Sequence, residues 1–164
     1  MDQTETKPPS RITLASTVEE AKNWLRDRLT EGDRCPVCKQ HCKIYRRKIT
    51  SSMVTTAAKV RRAQDGPNSN DGYVYLPDIF QHSRDFATMA YFGLAGQAPG
   101  KRIDGGRPGW WRITEDGMEF LRGNKKVHKY ALIYNGARIG YDGEEISVRE
   151  IAPEFRFDEL MAGV

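Results

Sequence analysis

Apolar residues return every three or four positions in some stretches and alternate in others, and this pattern divides the chain into elements. Val18, Ala21, Trp24, Leu25 and Leu29 form one helical stripe ending near Gly32, and Thr17-Val18-Glu19-Glu20 opens it with the form of a capping box. Tyr45, Ile49, Met53, Ala57 and Val60 form a second, longer stripe. It predicts an amphipathic helix over 43–62 whose other faces carry Arg46, Arg47, Lys48, Lys59, Arg61 and Arg62. The run from Asp65 to Gly72 (DGPNSNDG) then reads as a loop.

Beyond the loop the pattern predicts shorter pieces. Tyr73-Val74-Tyr75 is extended, and Leu76-Pro77-Asp78 starts a short helix with proline in its first turn. Ser83 is placed to cap another helix with Phe86, Met89, Ala90 and Phe92 inward, and Gly93-Leu94 has the form of a left-handed stop. The glycine-rich stretch 96–109, with Lys101, Arg102 and Arg107, reads as a hairpin tip. Trp110-Trp111-Arg112-Ile113 is a strand that turns one tryptophan inward. Thr114 caps the next helix, Glu115 and Asp116 fill its first turn, Met118, Phe120 and Leu121 anchor it, and Gly123 stops it. Strands at 130–134, 137–141 and 145–148, separated by Asn135-Gly136 and Asp142-Gly143, predict a small β-meander. Ser147-Val148-Arg149-Glu150 is alternatively the cap of a brief helix, and Phe155, Phe157 and Leu160 dock the C-terminus. The whole is an α+β chain with a tail over 1–16, a main unit over 17–124 and a small β unit over 125–164.

With 164 residues the chain is long enough for one domain with a genuine core. No run approaches the roughly 18 apolar residues of a membrane span, and no basic start followed by an apolar stretch marks secretion. The expectation is a cytoplasmic protein with no membrane partner. The net charge of +4 is unevenly spread. From Arg34 to Gln64 there is no Asp or Glu, while Arg34, Lys39, Lys43, Arg46, Arg47, Lys48, Lys59, Arg61 and Arg62 are all basic; the rest of the chain is net negative. Such a stripe commonly meets a polyanion, and a solvated helix face is its plainer explanation.

The order over 76–121 (short helix, turn, helix, basic hairpin, strand) resembles the winged helix-turn-helix fold. Tyr91-Phe92-Gly93-Leu94 and Trp111-Arg112-Ile113-Thr114-Glu115-Asp116-Gly117 carry the likeness. The chain, with Cys35-Pro36-Val37-Cys38, Tyr45-Arg46-Arg47-Lys48-Ile49 and Phe157-Asp158-Glu159-Leu160-Met161, also resembles a set of small, mostly uncharacterised bacteriophage proteins. The resemblance implies a winged helix-turn-helix core with N-terminal helices and the β-meander behind it. It also implies a regulatory protein that binds double-stranded DNA in the bacterial host cytoplasm. Lys43, Arg46, Arg47, Lys48, Arg61 and Arg62 would hold the backbone, Arg84, Thr88 and Tyr91 would read bases, and Lys101, Arg102 and Arg107 would form the wing contacts. The candidate reader is poor in charge: residues 63–100 hold one cation, Arg84, against Asp65, Asp71, Asp78 and Asp85. A winged-helix scaffold that grips and modulates a host protein, or a second copy of itself, therefore stands as the alternative.

Cys35-Pro36-Val37-Cys38 has the spacing of a zinc knuckle. Cys42 would be a third ligand and His41, His82 or His128 a fourth. A second Cys-x-x-Cys is missing, so reduced structural cysteines, a site shared between subunits and redox sensitivity stay open. No phosphate loop, nucleophile elbow or paired metal-binding carboxylates occur, and the three histidines lie far apart, so no enzyme is expected.

Overall fold

Thr17 opens the first helix as its sequence requires: its hydroxyl accepts the Glu20 N–H at 3.1 Å and the Glu20 carboxylate accepts the Thr17 N–H at 2.7 Å. The helix, α1, runs Val18–Arg26. The computed structural model describes residues 11–100 and 108–162, and within helix 157–162 the side chains of residues 160 and 162 are not described. Of the predicted tail, 1–10 lies outside the described residues, and 11–16 contains a turn closed by Ser16 N–H donating to the Thr13 carbonyl.

After α1 comes a two-stranded hairpin of β1 (Asp33–Arg34) and β2 (His41–Cys42), then β3 (Tyr45–Lys48) and α2 (Ser51–Gln64). Here the structure corrects the sequence reading. The predicted helix over 43–62 is a strand followed by a helix, with Thr50 at the helix N-cap in extended backbone. The N-terminal half joins a sheet instead: Tyr45, Arg46, Arg47 and Lys48 pair antiparallel with Ile133, Leu132, Ala131 and Tyr130.

Two three-stranded sheets complete the fold. In one, β4 (Val74–Tyr75) and β5 (Ala95–Gln97) flank β6 (Trp110–Ile113) in the order β4-β6-β5. In the other, β3 and β8 (Ala137–Ile146) flank β7 (Val127–Tyr134) in the order β3-β7-β8. Asn135-Gly136 makes the predicted turn, both residues at positive φ. Asp142-Gly143 does not. The predicted three-stranded meander is one long hairpin, with Asp142-Gly143 at an irregularity inside β8 where the register shifts between His128 and Tyr130. Its third strand is β3. The brief helix at 148 is present as α4 (Val148–Ile151), with Ser147 N–H donating to Glu150 at 2.6 Å.

The predicted helix pair at 76–92 is tighter than an α-helical pair: Leu76–Asp78 and Phe86–Phe92 are both 3₁₀ segments. Gly93 closes the second in the left-handed conformation (φ 74°), and Leu94 N–H donates to the Met89 carbonyl. Helix α3 (Glu115–Arg122) starts at Thr114, whose hydroxyl accepts the Gly117 N–H, and stops at Gly123. The chain ends in α5 (Phe157–Ala162).

The core is built around α2. Met53, Val54, Ala57 and Val60 on that helix pack with Phe86, Met89, Phe92, Leu94, Trp111, Phe120 and Leu121. Phe86 meets Trp111 edge to face at 5.5 Å. Two polar ties fix the helix. The buried Thr56 hydroxyl accepts the Ser83 N–H, and the Gln64 side-chain oxygen accepts the Ile113 N–H. The same cluster takes in Val127, Ala131, Ile146, Val148 and Ala152, so one core crosses the position 124 boundary. Among the described residues, none before Ile49 belongs to it. The first helix and the cysteine hairpin sit outside that core and bury Ala21 alone.

Candidate nucleic-acid interface

The segment that carries the basic stripe is built from short, exposed backbone. Gly32 at φ 91° ends the turn after α1 and sends the chain into β1. In the hairpin Asp33 faces Cys42 and Arg34 faces His41, and Cys35 N–H donates to the Gln40 carbonyl as the next rung. Lys39 takes a left-handed conformation (φ 63°) that closes the turn, and its N–H donates to the Cys35 carbonyl. Two cations brace this turn: the Lys39 ammonium donates to the Pro36 carbonyl and the Arg34 guanidinium to the Lys39 carbonyl. Val37 stands exposed at the tip. Ile44 N–H donates to the Leu29 carbonyl and fastens the hairpin's exit to the end of the first helical turn region.

From there β3 runs along the rim of the second sheet, paired only with β7, and all four residues are exposed. Successive side chains point to opposite faces, so Arg47 lies on one face and Arg46 and Lys48 on the other. Their circumstances differ. Arg46 is held: its Nε donates to Asp142 at 2.6 Å and its guanidinium lies 3.6 Å over the Tyr130 ring. Arg47 is 5.5 Å above the exposed Tyr45 ring, and Lys43 lies along Gly32. Among the described residues, Lys43, Arg47 and Lys48 make no ion pair. An exposed rim strand loaded with cations also resists pairing with another chain, which is a sufficient structural reason for some of this charge.

Arg61 and Arg62 do not join the group. They sit in the last turn of the 14-residue α2, about 16 Å along the helix from its start. Arg61 is tied to Asp65 at 2.8 Å and lies against the Met118 sulfur, while Arg62 is exposed. The single basic helix of the sequence reading is thus two separate basic places.

The candidate reader is differently engaged as well. Arg84 is exposed and precedes the 3₁₀ segment, Thr88 is half-buried, and Tyr91 is bound within the chain. The Tyr91 hydroxyl donates to the Gly136 carbonyl at 3.3 Å, and its own carbonyl accepts from Arg138 and from the Tyr141 hydroxyl, each at 3.3 Å. Arg138 also meets the Tyr141 hydroxyl directly, and Phe92 and His128 stack on the Tyr141 ring. The tip of the β7–β8 hairpin therefore leans on the segment expected to enter a groove, and Tyr91 is a packing residue in this arrangement. Trp111 is the inward tryptophan; Trp110 lies against Tyr75. Lys101, Arg102 and Arg107 lie outside the described residues.

Sequence reasoning missed Asp142, Tyr130 and Tyr134. No local pattern marks them, because each meets the basic segment through the pairing of β3 with β7 and of β7 with β8. Asp142 has its carboxyl held below the ordinary range, first by the Gly143 N–H and then by Arg46. A carboxyl lowered on folding adds stability that is present at neutral pH and is lost as pH falls through the lowered value. Glu119 and Glu150 are lowered too and lie on the same acid limb. Asp142→Asn is expected to make that limb shallower, read as melting temperature against pH between neutrality and the acid range.

At the cysteines, the Cys38 N–H and then the Val37 N–H point at the Cys35 sulfur and hold this thiol below its ordinary range, with a further bond from the Cys38 side chain. Burial, then the Cys42, Cys35 and Cys38 thiols, push the Tyr134 hydroxyl upward. The three candidate histidine ligands are elsewhere. His41 lies over Gly32, His82 is bonded to the Ile79 carbonyl, and His128 to the Gly143 carbonyl. Among the described residues no three His, Cys, Asp or Glu side chains are already gathered as a metal-ligand set, and no helix is long and apolar enough to cross a membrane. No protein-family model, no curated protein and no solved structure matches the chain.

Proposed function

We propose that the protein binds nucleic acid, double-stranded DNA first, through the cations of residues 34–48. The observation that carries this reading is the acid-free run of half-buried Lys43 and exposed Arg47 and Lys48 beside the Arg34 and Lys39 hairpin, cations without an internal ion pair among the described residues. Backbone phosphates supply most of the affinity in such complexes and need only accessible cations. The order of turn region, hairpin and strand over 76–113 supports a winged helix-turn-helix unit, with Arg84 and Thr88 as its groove-facing residues. The role is regulatory, not enzymatic.

A second reading has its own observation. Tyr91 is engaged by the β7–β8 hairpin and Phe80 is exposed at 78%, which suits a scaffold that grips a host protein or a second copy of the chain. Fluorescence anisotropy with a mixed-sequence duplex, titrated from about 50 to 200 mM salt, separates the two. Saturable binding with a steep salt slope is the expected result. Negligible binding at the lowest salt would overturn the nucleic-acid reading and leave the protein-directed one.

A further inference from the structure

Two of the three thiols share one face of one hairpin, and the third lies in its turn. Asp33 faces Cys42 across the ladder and Cys35 faces Gln40, so Cys35 and Cys42 are diagonal neighbours, two residues apart in register. Side chains two apart in a strand point the same way, and diagonal partners are within reach of one another. Arg34 and His41 pair with each other and belong to the opposite face. Cys38 lies in the turn between Cys35 and Cys42, which the Lys39 N–H closes onto the Cys35 carbonyl. Lys39 takes the left-handed conformation that this closure requires, so Cys35 and Cys38 are held on one short loop. Lys39 and Arg34 brace this turn with their own donors, and no carboxylate occurs between Asp33 and the end of α2 to compete as a hard ligand.

We propose that Cys35, Cys38 and Cys42 form a three-thiolate site for one zinc ion, its fourth position open to solvent beside Tyr134. Thiolate sulfur and tetrahedral geometry select zinc among the common divalent ions. On binding, each S–H gives its proton to solvent as its sulfur bonds the ion, and no electron is transferred. The Cys42 thiol donates to the Gln40 carbonyl at 3.6 Å, a bond that is given up when its proton leaves and the sulfur binds the ion. His41 is excluded by the face it occupies, His128 stands at the opposite end of β7 from Tyr134, and His82 sits in the link between the two 3₁₀ segments. The site orders a segment that the main core does not reach, since no described residue before Ile49 belongs to that core.

Native mass spectrometry of the full chain purified with zinc present gives the stoichiometry, and cobalt substitution gives the ligands. One ion per chain is expected, with a sulfur-to-cobalt charge-transfer band that falls by about a third in Cys42→Ser, one thiolate of three. The core contains none of these residues, so Cys42→Ser should keep the far-ultraviolet dichroism of the native chain. A metal-free mass at excess zinc would overturn the site, as would a cobalt band unchanged by Cys42→Ser in a folded variant. Either failure leaves the duplex titration untouched, because that reading rests on the cations alone.

Discussion

Gly117→Ala is expected to destabilise the protein by about 3 kcal/mol or more, at or beyond the upper end of overpacking costs. The ordinary expectation for a glycine inside a helix has the opposite sign, since alanine is favoured there by about 1 kcal/mol. The neighbours reverse it. A Cβ at Gly117 would stand 2.1 Å from the Leu94 carbonyl oxygen and 2.6 Å from Ile113 Cγ2. Neither can yield easily. The Leu94 carbonyl already accepts the Thr114 N–H, Leu94 is fully buried, and the Thr114 hydroxyl bonds the Gly93 carbonyl at 2.6 Å. Helix α3 thus rests its first turn directly on the backbone that ends the 3₁₀ segment, and only a residue without a side chain permits the approach. Urea unfolding measures the effect, with Gly123→Ala as the comparison. Gly123 is left-handed (φ 86°) with nothing within 4 Å of its added carbon, so that variant should cost about 1 to 2 kcal/mol from backbone strain alone. A Gly117→Ala midpoint equal to the native one would mean that α3 does not sit on Leu94.

Which parts of this fold were readable from the chain follows from how local their causes are. The Thr17 capping box, the Thr114 cap, the Gly93 and Gly123 stops and the Asn135-Gly136 turn each depend on residues within about five positions, and each is present. The strand at 45–48 was not readable as such. Tyr45 and Ile49 stand four apart, which satisfies a helix stripe, and the three cations between them fit either state. What decides is the pairing with Ile133 through Tyr130, more than 80 residues away. A local signal did exist at Thr50-Ser51-Ser52, where small hydroxylic residues mark a helix start, and the stripe concealed it. Asp142-Gly143 misled for the converse reason. The dipeptide suits a turn, but β7 is eight residues long and continues to offer partners as far as Val127, so β8 passes through with an irregularity and continues to Ile146. The candidate site divides in the same way. The cysteine spacing is visible in eight residues, whereas the engagement of Arg46 with Asp142 spans 96 positions.

Replacing Lys43, Arg47 and Lys48 together by glutamate is expected to lower duplex affinity about a hundredfold or more at low salt, and to reduce the slope of log affinity against log salt by about 2.7, three contacts at roughly 0.9 each. These three are chosen on structural grounds. None has an ion-pair partner among the described residues, so reversing them should leave the melting temperature close to the native value. Arg46 is unsuitable for the purpose. Its reversal would set a carboxylate against Asp142 and remove the cation from the Tyr130 ring, and a loss of binding would then be confounded with damage to the β3-β7-β8 sheet. Arg61 carries the same objection through Asp65. Arg84 supplies the complementary test, because it is the one cation of residues 63–100 and lies at the start of the candidate reader. If backbone contacts dominate, Arg84→Ala should change affinity for mixed-sequence duplex little and alter the preference among sequences. A triple variant that binds as the native protein does, together with an Arg84→Ala that abolishes binding, would move the interface from the rim strand to the 3₁₀ segment. In that case the cations at 43–48 would serve as the guard of an exposed sheet edge.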